Sequence, residues 1–307
     1  MAVKDVHRVV SVSIGSSKRN AVAEHEVLGQ RFLLERIGTD GSMEKAAQLL
    51  RDLDGKVAAF GLGGTDLYLV AGNRTYSFRD IKKLASNAKL TPILDGSGLK
   101  HTLEREAVRQ LEPVVGWKGR KTLMVNSIDR FGMAEALAEA GADMIYGDII
   151  FGLGIPWVIK DVRRARRLAH TLLPVITQLP FKWFYPTGEQ QEKTVRDHRV
   201  RYYQWAEVIA GDFLYVNRYR PERLDGKTIL TNTITPADVD ALRASGLKRL
   251  ISTTPKMNGR NFGTNVMEAF FVALSGKNRP LTSDEYMQYI KQVGFQPVVY
   301  DLQEGDA

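Results

Sequence analysis

The chain has no cysteine in 307 residues, which removes disulfides, thiolate nucleophiles and thiolate metal sites from consideration. It has no apolar run of about 18 residues, so no membrane-spanning helix is expected. The opening stretch MAVKDVHRVVSVSIG lacks the apolar core and small-residue cleavage site of a secretory signal, and with the missing cysteines this fits a cytoplasmic setting. His7, His25, His101, His170 and His198 show no H-x-x-x-H or H-E-x-x-H spacing, so no metal centre is expected. There is no G-x-S-x-G elbow of an α/β-hydrolase and no Walker phosphate loop. Zinc-finger, basic-zipper and RNP patterns are missing, and nothing in the motifs supports a nucleic-acid partner. Internal repeats and low-complexity tracts are also lacking.

What remains is an ordinary globular composition. The 44% hydrophobic content is enough to bury a large core, and the length suits two domains of common size or one large one. The net charge of +8 favours anionic ligands. Its densest basic run, Arg163 to Arg167, falls in a helix expected over 157–173 and reads either as a solvated face or as a phosphate-binding one.

Short apolar runs alternate with helical periodicity along most of the chain. Strands are expected at 8–14, 32–37, 57–61, 92–94, 121–126, 143–147, 213–216, 228–231, 249–252 and 298–302, with a hairpin over 66–78. Helices are expected at 43–53, 80–88, 101–111, 131–140, 157–173, 194–210, 236–244 and 267–274. Strands alternating with helices predict an α/β fold with mainly parallel sheets in two lobes. Trp117 to Arg120 marks a boundary between residues 1–118, a substrate domain, and 119–307, a Rossmann-like nucleotide-binding domain. The aromatic stretch Trp183-Phe184-Tyr185 is a candidate lid, a piece of core, or a contact with a partner subunit, and a homodimer stays open.

In such sheets ligands bind beyond the carboxyl ends of strands, so the loops there carry the candidates. Ser16, Ser17 and Lys18, with Arg19 beside them, follow the first strand and suit an anion, or form a solvated turn. Asp66 closes the glycine-rich loop after the third strand, and Asp95 opens the loop that carries Lys100. Lys100 with Asp66 or Asp95 is a candidate proton-transfer pair, and His101 is a second carrier or a helix cap. Arg260 and Asn265, in the polar loop 253–265, are candidates for binding a carboxylate or phosphate, with Thr231 and Thr253 on neighbouring strand ends. The unit 121–148 reads strand, turn, helix, strand. Ser127, Arg130 and Gly132 line its turn, and Asp148 lies where an acidic residue accepts from a nucleotide ribose, although the G-x-G-x-x-G fingerprint is missing.

The segments VVSVSIGSSKRN, RIGTDG, AFGLGGTDLYL, LDGSGLKHTLER and GRNFGTNVMEA resemble a bacterial family labelled quinate 5-dehydrogenase, over nearly the whole chain. The resemblance implies an NAD- or NADP-dependent oxidoreductase acting on a small anionic polyol such as quinate or shikimate. It also implies a substrate domain followed by a Rossmann domain, as in shikimate dehydrogenases. The serine-rich substrate motif and glycine-rich nucleotide loop of those enzymes are not matched, so Lys100, Asp66 and Asp95 are chosen by residue chemistry and not by motif. Two other readings stand beside it: a noncatalytic two-lobed protein closing over an anionic metabolite, and a transferase or lyase acting on a phosphorylated substrate.

Overall fold

The computed structural model describes residues 6–72, 74–180, 194–257 and 260–303, the side chains of Met257 and Arg260 excepted. Trp183, Phe184 and Tyr185 lie outside the described residues.

The first sheet contains β1 (Val6–Ser13), β2 (Ala21–Val27), β3 (Gln30–Gly38), β4 (Ala59–Gly63) and β7 (Ile93–Leu94), in the order β2-β3-β1-β4-β7. All neighbours are parallel except β2, which returns antiparallel on β3. A small hairpin, β5 (Leu69–Ala71) with β6 (Arg74–Tyr76), projects from the loop after β4. Helices α1 (Met43–Leu53) and α2 (Arg79–Ala85) cover one face of the sheet, where Val10, Val12, Phe60, Leu50 and Ile81 form a buried cluster. Both faces of the central strands are buried, which is why β1 reads as a nearly continuous apolar run.

The segment α3 (Ser97–His101), α4 (Leu103–Gln110) and α5 (Glu112–Val115) crosses to the second lobe. Leu103 belongs to the first lobe's core while Ala107 and Val108 belong to the second's. The second sheet holds β8 (Lys121–Met124), β9 (Asp143–Tyr146), β10 (Val208–Ala210), β11 (Thr228–Thr231) and β12 (Arg249–Ser252). Helices α6 (Phe131–Glu139), α7 (Val162–Ile176), α8 (Val200–Trp205), α9 (Phe213–Tyr219) and α10 (Pro236–Ala244) connect them. After β12 and a second hairpin, β13 (Lys256–Met257) with β14 (Arg260–Asn261), the chain returns to the first lobe as α11 (Thr264–Ser275) and α12 (Ser283–Gln292). It then closes with β15 (Val298–Asp301), antiparallel on β12.

The two-lobed α/β architecture with mainly parallel sheets is thus as expected, with corrections in detail. Phe270, Phe271 and Tyr286 pack with Val9, Phe32 and Leu34. A split at residue 118 therefore leaves out the part of the first lobe built by α11 and α12. The second sheet's order, β15-β12-β11-β10-β8-β9, is flavodoxin-like and not that of the dinucleotide-binding Rossmann fold. The helix expected over 157–173 begins only at Val162, capped by the Asp161 side chain on Arg164 N. Residues expected as a strand at 213–216 form α9, and the end of the helix expected over 194–210 is strand β10.

One glycine shows how the lobes meet. A Cβ on Gly132 of α6 would stand 2.4 Å from the Lys100 carbonyl oxygen and 2.9 Å from His101 Cα, so its bare backbone lets α6 seat against α3. Gly132→Ala should destabilise the protein by about 1–3 kcal/mol, as overpacking against backbone does. Gly152→Ala, with nothing within 4 Å of the new methyl, should stay within about 0.5 kcal/mol of wild type. Urea denaturation midpoints measure both, and equal midpoints would remove the packing role given to Gly132.

Candidate functional site

In an open α/β sheet the strand order reverses at a switch point, where adjacent loops part and leave a crevice. The first sheet reverses between β1 and β4, and the second between β8 and β10. The loops at these two points face each other across one cavity of about 160 Å³. Ser13, Gly64 and Asp66 line it from the first lobe, and Asp129, Arg130 and Asp212 from the second. The N-terminus of α11 forms a further wall.

Lys100 stands at the base. It is buried, and its Nζ donates to Asp66 Oδ1 at 2.5 Å and to Asp129 Oδ1. Asp66 follows β4, Asp129 follows β8, and Lys100 belongs to the crossing helix α3, so one ammonium joins both lobes to the segment between them. Burial opposes its charge, but the flanking Asp129 and Asp66 more than offset this, and its pKa is raised. Burial and the negative Asp129 push Asp66 up to about 7, against the pull of Lys100. Asp129 is held down at about 2, where Lys100 and Arg130 outweigh its burial. The two carboxyls therefore differ: Asp129 is ionised, and Asp66 is partly protonated near neutral pH.

A second buried cation extends the cluster. Arg130 pairs with Glu104, and with Asp212 at 3.0 Å. Asn126 sets the spacing at the switch point. Its Oδ1 accepts from Asp212 N at 2.9 Å and its Nδ2 donates to Asp129 Oδ2 at 3.3 Å. Gly211, with φ of 145°, is required here, because a Cβ would lie 2.5 Å from Asn126 Oδ1. Asp212 then caps α9 by accepting from Leu214 N at 3.0 Å.

The residues singled out in the sequence separate into two groups. Asp66, Asp95, Lys100, Arg130 and Asn265 all line the cavity. Asp95 also accepts from Tyr68 N and Ser97 N, and Asn265 donates to Ser11 Oγ at 2.6 Å. Of the rest, those whose side chains are described do not line it. Ser16 Oγ caps the short turn at Lys18 N, Ser17 N donates to Asp40, and Lys18 is exposed, while Arg19 and Ser13 from the same region reach the cavity. Ser127 Oγ donates to Asp148, which also accepts from Ile128 N at 2.9 Å, so these two close the turn on themselves. Gly132 is a packing contact. Thr231 Oγ1 donates to Gly211 O at 2.8 Å, and Thr253 is fully buried. The Arg260 side chain lies outside the described residues. Sequence reasoning missed Asp129, Asp212 and Glu104. The Gly211-Asp212 step, a strand stop followed by a helix cap, was the available signal for Asp212.

A family model described as a domain of unknown function, DUF8754, matches residues 98–302, and another, DUF8753, matches residues 8–95. No curated protein matches the chain. Among solved structures the chain is similar to a glucose-galactose binding protein from Geobacillus stearothermophilus, at 10% identity and TM-score 0.40 over 99% of this chain and 100% of that one. It is also similar to an ABC transporter solute binding protein from Agrobacterium vitis with bound allitol, at 12% identity and TM-score 0.38 over 98% and 97%. A third is a periplasmic solute binding protein from Actinobacillus succinogenes with bound D-allose, at 11% identity and TM-score 0.37 over 97% and 98%. These are binding proteins, and none is a quinate or shikimate dehydrogenase. The family models that match are of unknown function and neither is a quinate dehydrogenase, so the expected membership in that family is corrected, and the oxidoreductase activity and enzyme status expected from it are not carried further.

Buried carboxyls give the site an unusual pH signature. Asp66, Glu104 and Glu268 are each pushed up to about 7, in every case chiefly by burial. A folded pKa above the unfolded one means a stabilisation complete below the unfolded value and lost as pH rises through about 7. His25 and His101, lowered by burial, act in the opposite sense, but only as pH falls through their ordinary value of about 6.5. Between pH ~6.5 and ~8.5 the carboxyls dominate, so the urea midpoint should fall as pH rises, and Glu268→Gln should flatten the slope. A midpoint that is flat or rising over that window would contradict the assigned protonation.

Proposed function

We propose, for a chain that belongs to the DUF8754 family, that the cleft binds a small polyhydroxylated metabolite with one anionic group and releases it unchanged. The observation that carries this reading is the facing of two switch-point loops across one polar cavity. Its volume of about 160 Å³ is below the ~300–1,000 Å³ of drug-sized sites, which suits a ligand of monosaccharide size.

Hydroxyl groups need acceptors and donors in fixed positions, and Asp129, Asp212, Asn232 and Asn265 supply both. Phe213, Tyr215 and Phe262 add apolar faces for the carbon skeleton. The anionic group follows from the charge balance. Arg19, Arg36, Lys100, Arg130 and Arg218 line the cavity, five cations against the four acids Asp66, Asp95, Asp129 and Asp212. Asp66 is moreover partly protonated near pH 7. The first turn of α11 adds to this, since no side chain caps it and its N–H groups favour an anion. Lys100 contributes a fixed charge to binding, since the neighbouring Asp129 and Asp66 raise its pKa and keep the ammonium charged near neutral pH.

Isothermal titration with sugar acids, cyclitol carboxylates, sugar phosphates and their neutral parents tests this directly. An anionic polyol should bind saturably and be recovered intact, and Arg19→Ala should weaken it by about 10–100-fold, the loss of one charge-assisted hydrogen bond. Neutral sugars binding as tightly as their acids would remove the anionic group from the proposal. A ligand recovered chemically altered, or no binding by a folded sample, would overturn the reading itself.

A further inference from the structure

The stretch Gly152 to Val158 joins the second sheet to α7, and all seven of its residues are exposed. Four are large and apolar: Leu153, Ile155, Trp157 and Val158 are 46%, 50%, 59% and 38% exposed. Nothing about the loop is loose at its roots. Phe151 before it and Ile159 after it are buried, and Ile159 O accepts from Tyr146 N at 2.8 Å. Leu153 N and Ile155 N both donate to Ile149 O. The fold thus holds an apolar tip out into water from fixed anchors, at a cost that monomeric proteins seldom carry in one contiguous patch.

The tip runs directly into a cationic stripe. Lys160 precedes α7, and Arg163, Arg164 and Arg167 stand on its first two turns, all three arginines exposed. No ion pair to Arg163, Arg164 or Arg167 is present among the described residues; Lys160 pairs with Asp143 at 3.6 Å. From Gly152 to Arg167 there are five cations and one acid, Asp161, whose carboxylate caps α7. Arg167 lies about 8 Å along the axis from the helix start.

We infer that this tip and stripe form a docking surface for an anionic membrane. The four apolar side chains stand on irregular backbone and not on the face of a helix or strand that a folded partner would match. A bilayer interface takes such side chains without shape complementarity, tryptophan above all, and its anionic headgroups complement the arginines. Attachment is peripheral, because no described helix is long and apolar enough to cross a membrane.

Co-sedimentation of the full chain with vesicles of phosphatidylcholine, alone or mixed with phosphatidylserine, tests the surface. Wild type should pellet with the mixed vesicles, stay with the supernatant over phosphatidylcholine alone, and be released by high salt. Ile155→Ser/Trp157→Ser, and separately Arg163→Glu/Arg164→Glu/Arg167→Glu, should each weaken binding by about tenfold or more. Every altered side chain is exposed, so urea midpoints should match wild type. The inference fails if wild type stays in the supernatant, or if the serine variant pellets like wild type, which would leave only bulk charge. It fails equally if light scattering shows a dimer that the serine variant abolishes, since a second copy would then cover the tip.

Discussion

Three separate parts of the chain converge on one ammonium. Asp66 comes from the first lobe, Asp129 from the second, and Lys100 from the helix that passes between them. Removing these groups from water costs several kcal/mol each, and only their mutual geometry recovers it. Much else near the cleft follows from keeping that geometry. Gly132 allows α6 to approach the Lys100 backbone, Asn126 fixes Asp129 relative to Asp212, and Arg130 ties Asp212 to Glu104 behind the cluster. A well-formed buried ion cluster is nearly balanced against its hydrated parts, so it specifies an arrangement more than it stabilises one.

That balance bears on how the lobes can respond to a ligand. Parting them would separate Asp129 from Asp66 and rehydrate the whole cluster, a change with large opposing terms and a small net one. A ligand shifts such an equilibrium only through its differential contacts with the closed form. The facing loops supply those contacts, since neither lobe alone surrounds the cavity. Helix α7 limits the motion on its own side, with Ala165 in the second lobe's core and Ala169 and Leu173 against the first. Tyr76 Oη and His170 Nδ1, 2.8 Å apart, add a polar contact across the same seam.

The sheets were largely legible from the sequence. Parallel strands buried on both faces stand out as apolar runs, and α10 announced itself through Thr235 and Pro236, where a capping box is found. The capping box at Thr282 and Glu285 was equally readable, yet α12 was overlooked. Strand β10 was lost because it has only three residues and an apolar helix follows within three more, so one window blurs both. Strand β2 alternates half-buried and exposed, but with Glu24, His25 and Glu26 in its middle it does not look apolar. For the site, Lys100 and Asp66 could be paired because they follow neighbouring strands of one sheet. Asp129 could not, since it reaches the pair from the other lobe. Ser16 and Ser17 were in the right loop, but the turn itself uses their hydrogen-bonding groups, a competition that residue type alone does not reveal.

The same competition explains why the cleft is suited to hold a hydroxylated ligand. A carboxylate offers about four lone-pair positions. Asp212 uses three of them within the protein: Oδ1 accepts from Leu214 N, and Oδ2 accepts from Arg130 and Asn232. Its orientation is therefore settled before any ligand arrives, and the remaining position on Oδ1 needs no side-chain ordering when a hydroxyl donates to it. Preorganisation of this kind removes a conformational cost from binding. It also makes the site selective, because an analogue without that hydroxyl leaves a half-buried acceptor incompletely solvated. The network that holds the lobes in register is thus the one that aims the cleft's acceptors, and a substitution in either role will be felt in the other.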